Sequence, residues 1–247
     1  MDIAIQAAKK AGKKLMSMQQ GIDVQTKKDG SPVTAADRAA STMIGQALSK
    51  TGIPVLDEET FSETPTANKM WIVDPLDGTS EFIKGSDEYT VNIALVENGV
   101  VQFGVVHAPR LNATYWGGII QPSMKEQDGV QKKITVSDSS LVGAVSVSHP
   151  DERVNKVYEA LGITEEASVG SSLKGCYVAE GRIGVYVRYH KLYEWDVCAM
   201  HAVLEGAGAV FSYLDGERVV YGKSNPRMKP FICSRASLAQ KALTFKE

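Results

Sequence analysis

The sequence predicts an α+β fold, with an antiparallel first half followed by an α/β second half. Apolar residues at helical spacing open the chain. Strand-like runs then meet at the tight turn Glu97-Asn98-Gly99, a strong hairpin signal. Beyond residue 130, strand-like and helical runs alternate. The expected division is residues 1–130, with the antiparallel sheet and most of the acidic residues, and residues 131–247.

Ile3, Ala7, Ala11, Leu15 and Met18 recur at helical spacing with lysines opposite, so residues 2–18 read as an amphipathic helix. Lys27 to Pro32 reads as a polar turn. Thr34 reads as an N-cap, with Asp37 three residues on and Ala36, Ala40, Met43, Ile44 and Leu48 forming the apolar face of a second helix. Strands are expected at Ile53–Leu56, ending on Asp57-Glu58-Glu59, and at Met70–Val73, ending on Asp74-Pro75. Tyr89–Val96 and Val100–His107 form the hairpin, and Ala113–Ile120 adds a third antiparallel strand. In the second half come a strand at Val142–Val147, a helix at Glu152–Leu161 and the turn Gly170-Ser171-Ser172. A helix to about Glu180, a strand at Ile183–Tyr189 and a helix at Asp196–Glu205 follow. Strands at Ala209–Tyr213 and Pro230–Cys233 and a short last helix complete the pattern.

The net charge of -2 gives no reason to expect a nucleic-acid polymer or an anionic membrane as partner. An anionic small molecule would have to be captured locally. Cys176, Cys198 and Cys233 are too few and too scattered for a disulfide framework or a metal-binding pair, so they read as buried apolar residues of a reduced, cytoplasmic protein. The N-terminal stretch lacks the apolar core of a signal peptide, and no run approaches the roughly 18 apolar residues of a membrane span. His107 and His201 read as structural.

Carboxylates end two of the expected strands, at Glu58 and Asp74. Asp77 lies one turn further on, and Asp196 opens a later helix. Strand ends open onto clefts, where the four could converge and be neutralised by a hard divalent cation such as Mg²⁺. In Asp74-Pro75-Leu76-Asp77-Gly78-Thr79 the proline turns the chain sharply, aiming both aspartates at one point and leaving the Leu76 carbonyl as a further oxygen ligand. Gly78 allows close backbone approach, and a helix starting near Thr79 would offer N–H groups to an anion. Alone, Asp-Pro-Leu-Asp-Gly is also ordinary turn chemistry, and Lys174 and Arg188 alone would be solvated surface cations. The complete set points to a phosphomonoester hydrolase.

Trp71–Phe82 (WIVDPLDGTSEF) and Trp195–Ala199 (WDVCA), with the acidic residues at 57–59, resemble the signatures of the inositol monophosphatase superfamily, and the similarity runs from the first helix to about residue 233. That resemblance implies a layered α/β sandwich of alternating helix and sheet layers. It implies two or three Mg²⁺ ions held by Glu58, Asp74, the Leu76 carbonyl, Asp77 and Asp196. Asp37 and Thr79, with Glu58, would activate or position the attacking water.

Ser31–Asp37, Asp77–Gly85, Tyr89–Gly99 and Gly170–Gly181 are closest to the superfamily's bacterial 3'(2'),5'-bisphosphate nucleotidase branch, for which Glu81 is typical. The implied reaction converts adenosine 3',5'-bisphosphate (PAP) to AMP and phosphate in sulfur metabolism. The sulfated nucleotide PAPS is a second candidate substrate, and lithium sensitivity is expected. Gly78 and Thr79 would hold the reacting phosphate. Ser146, His149, Gly170, Lys174 and Arg188 would hold the nucleotide, with Val147 where the branch usually has arginine. Asp57 stands where relatives often have glycine or serine. A monomer or homodimer is expected, and peripheral association with an inner membrane stays open. The alternatives are an inositol monophosphatase and a non-catalytic nucleotide sensor.

Overall fold

A computed structural model describes residues 1–19, 24–26, 32–146 and 151–244. Helices α1 (Asp2–Met18) and α2 (Ala35–Leu48) pack together, and β1 (Val24–Thr26) pairs with β2 (Pro32–Thr34) just before α2. Most of the polar turn expected at Lys27 to Pro32 lies outside the described residues. Thr34 and Asp37 form the capping box that their spacing suggested: the Thr34 N–H donates to Asp37 Oδ2 at 2.8 Å, and the Thr34 hydroxyl accepts from the Ala36 N–H at 3.1 Å.

A seven-stranded sheet follows in sequential order: β3 (Val55–Asp57), β4 (Lys69–Asp77), β5 (Thr90–Glu97), β6 (Val100–Ala108), β7 (Ala113–Gly118), β8 (Gln121–Gln127) and β9 (Val130–Lys133). Every pair is antiparallel except β3 with β4, which run parallel. The short helix α3 (Thr79–Ile83) lies between β4 and β5. The second sheet has the order β11-β10-β12-β14-β13, from β10 (Val142–Ser146), β11 (Glu165–Val169), β12 (Val185–Arg188), β13 (Val210–Tyr213) and β14 (Phe231–Ser234). Its helices are α4 (Glu152–Leu161), α5 (Leu173–Ala179), α6 (Glu194–Gly206) and α7 (Ala236–Thr244).

Three apolar cores hold five alternating layers together, one of them enclosing the middle helix layer on both sides. The inner faces of α1 and α2 cover one side of the large sheet, where Ala11, Leu15, Ile44, Val73, Ile93 and Val105 are buried together. Between the two sheets lie α5 and α6, and outside the small sheet lie α4 and α7. Helix α6 is apolar nearly all round because sheets flank it on both sides. It approaches the large sheet closely because Gly104 carries no side chain: a Cβ there would stand 2.4 Å from the Ala199 carbonyl. This is the layered sandwich that the sequence predicts. Cys176, Cys198 and Cys233 are buried and free. No helix among the described residues is long and apolar enough to cross a membrane.

The sequence patterns miss β8, β9 and β11. These strands are rich in Gln, Glu and Lys, and β9 is exposed throughout. They hold so few apolar residues, with β9 and β11 at the sheet edges, that no alternation is left to read. β4 also runs beyond Val73 to Asp77, with a register irregularity between Asp74 and Asp77 where the expectation had the strand ending at Asp74. Helix α6 starts two residues before the expected Asp196, at Glu194.

Candidate metal centre and anion cleft

Because β3 and β4 run parallel, both deliver their C-terminal ends to the same side of the large sheet. Glu58 follows β3 in a one-turn 3₁₀ helix, Glu58–Thr60, whose N-cap Asp57 accepts from the Glu59 N–H at 2.8 Å. Asp57 also accepts from the Ser41 hydroxyl of α2 at 3.0 Å, which ties this turn to the helix carrying Asp37. Asp196 lies in the first turn of α6, accepting from the Tyr193 N–H at 2.6 Å. Carboxylate oxygens of Glu58, Asp74 and Asp196 lie within 4.8 Å of one another, close enough to share a cation. The Phe61 ring packs on Trp195 at 5.3 Å, linking the Glu58 segment to the start of α6.

Asp77 stands beside this trio, where the large sheet meets the start of α5. Its Oδ2 accepts from the Ser172 N–H at 2.6 Å, the Thr90 hydroxyl at 3.2 Å and the Asn92 amide at 3.3 Å. Gly78 has φ +89°, which a residue with a side chain would adopt only under strain, and α3 begins at Thr79. The Thr79 hydroxyl lies 3.1 Å from Asp37 Oδ1 and 3.2 Å from the Leu76 carbonyl, so its one proton serves one of them at a time. Asp37 Oδ2 is meanwhile occupied by the Thr34 cap.

The electrostatics show what this site would take. Loss of water pushes the Asp74 and Asp196 carboxyls well above the usual carboxylate range, and repulsion from Glu58 and Asp77 adds to it. Asp74 Oδ2 is buried with no hydrogen-bond partner. An oxygen-only donor set of this kind fits a hard divalent cation, which would supply the missing partner and cancel the repulsion.

Opposite the carboxylates, a cleft of about 290 Å³ is lined by Gly78, Thr79, Ser146, Gly170, Lys174 and Arg188, with Glu58, Asp77 and Asp196 at its acidic side. Lys174 and Arg188 are 6% and 8% exposed, so neither is a solvated surface cation. Burial lowers the Lys174 ammonium to about 8, although the Asp77 charge works in the opposite direction. Its Nζ donates to the Val169 carbonyl at 3.0 Å. Arg188 Nε is buried and unpartnered. His149 and Val147 lie outside the described residues. His107 and His201 are buried within the packing, beside the Thr114 and Tyr221 hydroxyls at 3.0 and 2.8 Å.

The sequence reading passed over Thr90, Asn92 and Ser172. Thr90 and Asn92 are polar interruptions of an otherwise apolar strand, a signal that could have flagged them. Ser172 carries no such signal, since its place between the Gly170-Ser171-Ser172 turn and the helix after it is ordinary turn chemistry.

Fold and site together define a layered α/β protein in which a cluster of carboxylates faces a wall carrying two buried cationic side chains. Residues 1–244 match the sequence profile of the inositol monophosphatase family, and the chain belongs to that family. It is 40% identical to the 3'(2'),5'-bisphosphate nucleotidase CysQ of Escherichia coli K12 over 240 residues, 93% of this chain and 97% of that one. The Buchnera aphidicola protein of the same name is 36% identical, over 91% of this chain and 88% of its own. Among solved structures, CysQ from Bacteroides thetaiotaomicron superposes with a TM-score of 0.82 at 34% identity, covering 94% of this chain and 96% of that one. An IMPase from Thermotoga maritima gives a TM-score of 0.81 at 28% identity, covering 98% and 95%.

Proposed function

We propose that this chain is a Mg²⁺-dependent cytoplasmic phosphatase that removes the 3'-phosphate of adenosine 3',5'-bisphosphate, releasing AMP and phosphate. The observation that carries this reading is one cleft with clustered carboxylates on one side and two buried cations on the other. A monoester phosphate fits the first side, and a second phosphate on the same molecule fits the second. The relatives named as bisphosphate nucleotidases support it.

Glu58, Asp74, Asp77, Asp196 and the Leu76 carbonyl would hold the metal. Bound Mg²⁺ supplies Lewis acidity, lowering the pKa of a water and neutralising phosphate charge. Thr79 positions that water: while its hydroxyl donates to Asp37, its lone pairs are left to accept from the water. The capping bonds fix Asp37, so the Thr79–Asp37 pair is held in place before substrate arrives. The water oxygen bonds to phosphorus, the bond from phosphorus to the ribose 3'-oxygen breaks, and the ribose oxygen leaves with a proton as the AMP hydroxyl. Backbone N–H groups of Gly78 and Thr79 steady the equatorial oxygens. Lys174 and Arg188 bind the 5'-phosphate, with Ser146 and Gly170 beside the nucleoside.

Phosphate release with Mg²⁺ from adenosine 3',5'-bisphosphate, beside AMP and inositol 1-phosphate, tests this directly. Rapid release from the bisphosphate alone, suppressed by millimolar lithium, is expected, and PAPS belongs in the same panel. Preference for inositol 1-phosphate would keep the acidic site but discard the role given to Lys174 and Arg188. Tight nucleotide binding without release would favour a sensor.

A further inference from the structure

Ser172 joins two acidic residues from opposite halves of the chain, Asp77 and Asp196. It is 2% exposed and stands directly before α5. Its N–H donates to Asp77 Oδ2 at 2.6 Å, at the end of β4. Its hydroxyl donates to the Asp196 carbonyl at 2.7 Å, in the first turn of α6, and accepts from the Asn92 amide of β5 at 2.9 Å. That amide lies 3.3 Å from Asp77 Oδ2 as well, so Asp77, Asn92 and Ser172 close a triangle tethered to Asp196. No local turn could set the spacing of Asp77 and Asp196, which sit in different layers.

The backbone before Ser172 is held in place at some cost. Ser171 has φ +46°, an uncommon conformation for a residue with a Cβ, and the Gly170 N–H is held by Glu88 Oε2 at 2.9 Å. The main chain is wound so that the Ser172 N–H meets a carboxylate of the acidic centre, not a packing neighbour.

We propose that Ser172, supported by Asn92, is a positioning residue that sets the distance between Asp77 and the helix end bearing Asp196, and thereby the affinity of the acidic centre for divalent cations. This rests on the metal-dependent reading above. A purely structural role would affect melting and leave cation affinity alone.

The test is calorimetric titration of Mg²⁺, with Mn²⁺ as a second probe, into the full chain without substrate. Wild type is compared with Ser172→Ala, Asn92→Ala and the double variant, well below their melting temperatures. Ser172→Ala is expected to weaken cation binding by about 10- to 100-fold, the range for residues that orient metal ligands. The double variant should bind more weakly still, because Asn92 also contacts Asp77 directly. Wild-type affinity in folded Ser172→Ala overturns the proposal. If that variant does not fold, wild-type affinity in Asn92→Ala does the same. A wild-type chain that binds neither cation would overturn the phosphatase reading as well, and is told apart because the variants then have no affinity to lose.

Discussion

The acidic wall of the cleft comes largely from the ends of β3 and β4, with Glu58, Asp74 and Asp77 close together along the chain, whereas the basic wall comes from Lys174 on α5 and Arg188 on β12, brought together by the packing of the layers. Each wall holds charge where water is scarce, and in the isolated chain each is electrostatically unfavourable. The carboxylates repel one another, and Lys174 lies next to Arg188. Groups kept in such positions make sense when a ligand satisfies them: a cation on one side and an anion on the other. The two walls should therefore fail differently, the first by losing chemistry and the second by losing binding.

Replacing Asp74 by asparagine should show the largest effect. Transition-state stabilisation by the bound metal is worth several kcal/mol, so phosphate release should fall by about a thousandfold or more at saturating substrate. The metal-free protein should at the same time melt at a higher temperature than wild type, because a buried, repelled carboxylate has been neutralised. A lower melting temperature with unchanged turnover would break the comparison on its acidic side.

On the basic wall, Lys174→Met should raise the KM for the bisphosphate by about 10- to 100-fold, the worth of a charge-assisted hydrogen bond. Its kcat, and its KM for a 3'-monophosphate, should change little. Steady-state kinetics on the two substrates check this, and an equal loss on both would mean that Lys174 does not read the second phosphate. The same assignment predicts a pH limb. With the Lys174 ammonium lowered to about 8, kcat/KM for the bisphosphate should decline above about pH 8 as that charge is lost, and the monophosphate profile should lack the decline.

A smaller effect concerns stability without metal. Asp74 and Asp196 are raised in the folded state, so the folded chain binds more protons than the unfolded one. Stability of the chelated protein should then fall as pH rises from the ordinary 3.8 through the raised folded values. Calorimetry of wild type against Asp74→Asn isolates the contribution of Asp74. Adding Mg²⁺ at 100 times its dissociation constant should return about 2.7 kcal/mol at high pH. Parallel pH curves for the two proteins would contradict the assignment.

The same contrast explains what could be read from the sequence. Asp74-Pro75-Leu76-Asp77-Gly78-Thr79 and the Thr34–Asp37 cap announce their geometry because a few neighbouring dihedral angles determine it. Single elements were legible where periodicity was strong, as in α1, α4 and the hairpin of β5 and β6, while their stacking in layers was legible only through the family resemblance. The polar strands β8, β9 and β11 were not legible, since they hold too few apolar residues to repeat. Burial of Lys174 and Arg188, and the bracket through Asn92 and Ser172, depend on how layers meet, and no spacing along the chain encodes that.

The parallel pairing of β3 with β4 has a consequence for how this protein tolerates change. The return path between the strands, residues 61–68, runs mostly exposed along the outside, with the Thr64 hydroxyl bonded to the Lys223 carbonyl. Sheet pairing locks the spacing of Glu58 and Asp74, and the length of that connection does not enter it. Insertions, grafted recognition loops or an affinity tag placed around Glu63 would therefore leave the catalytic geometry intact, which makes this stretch the natural point for remodelling the molecule.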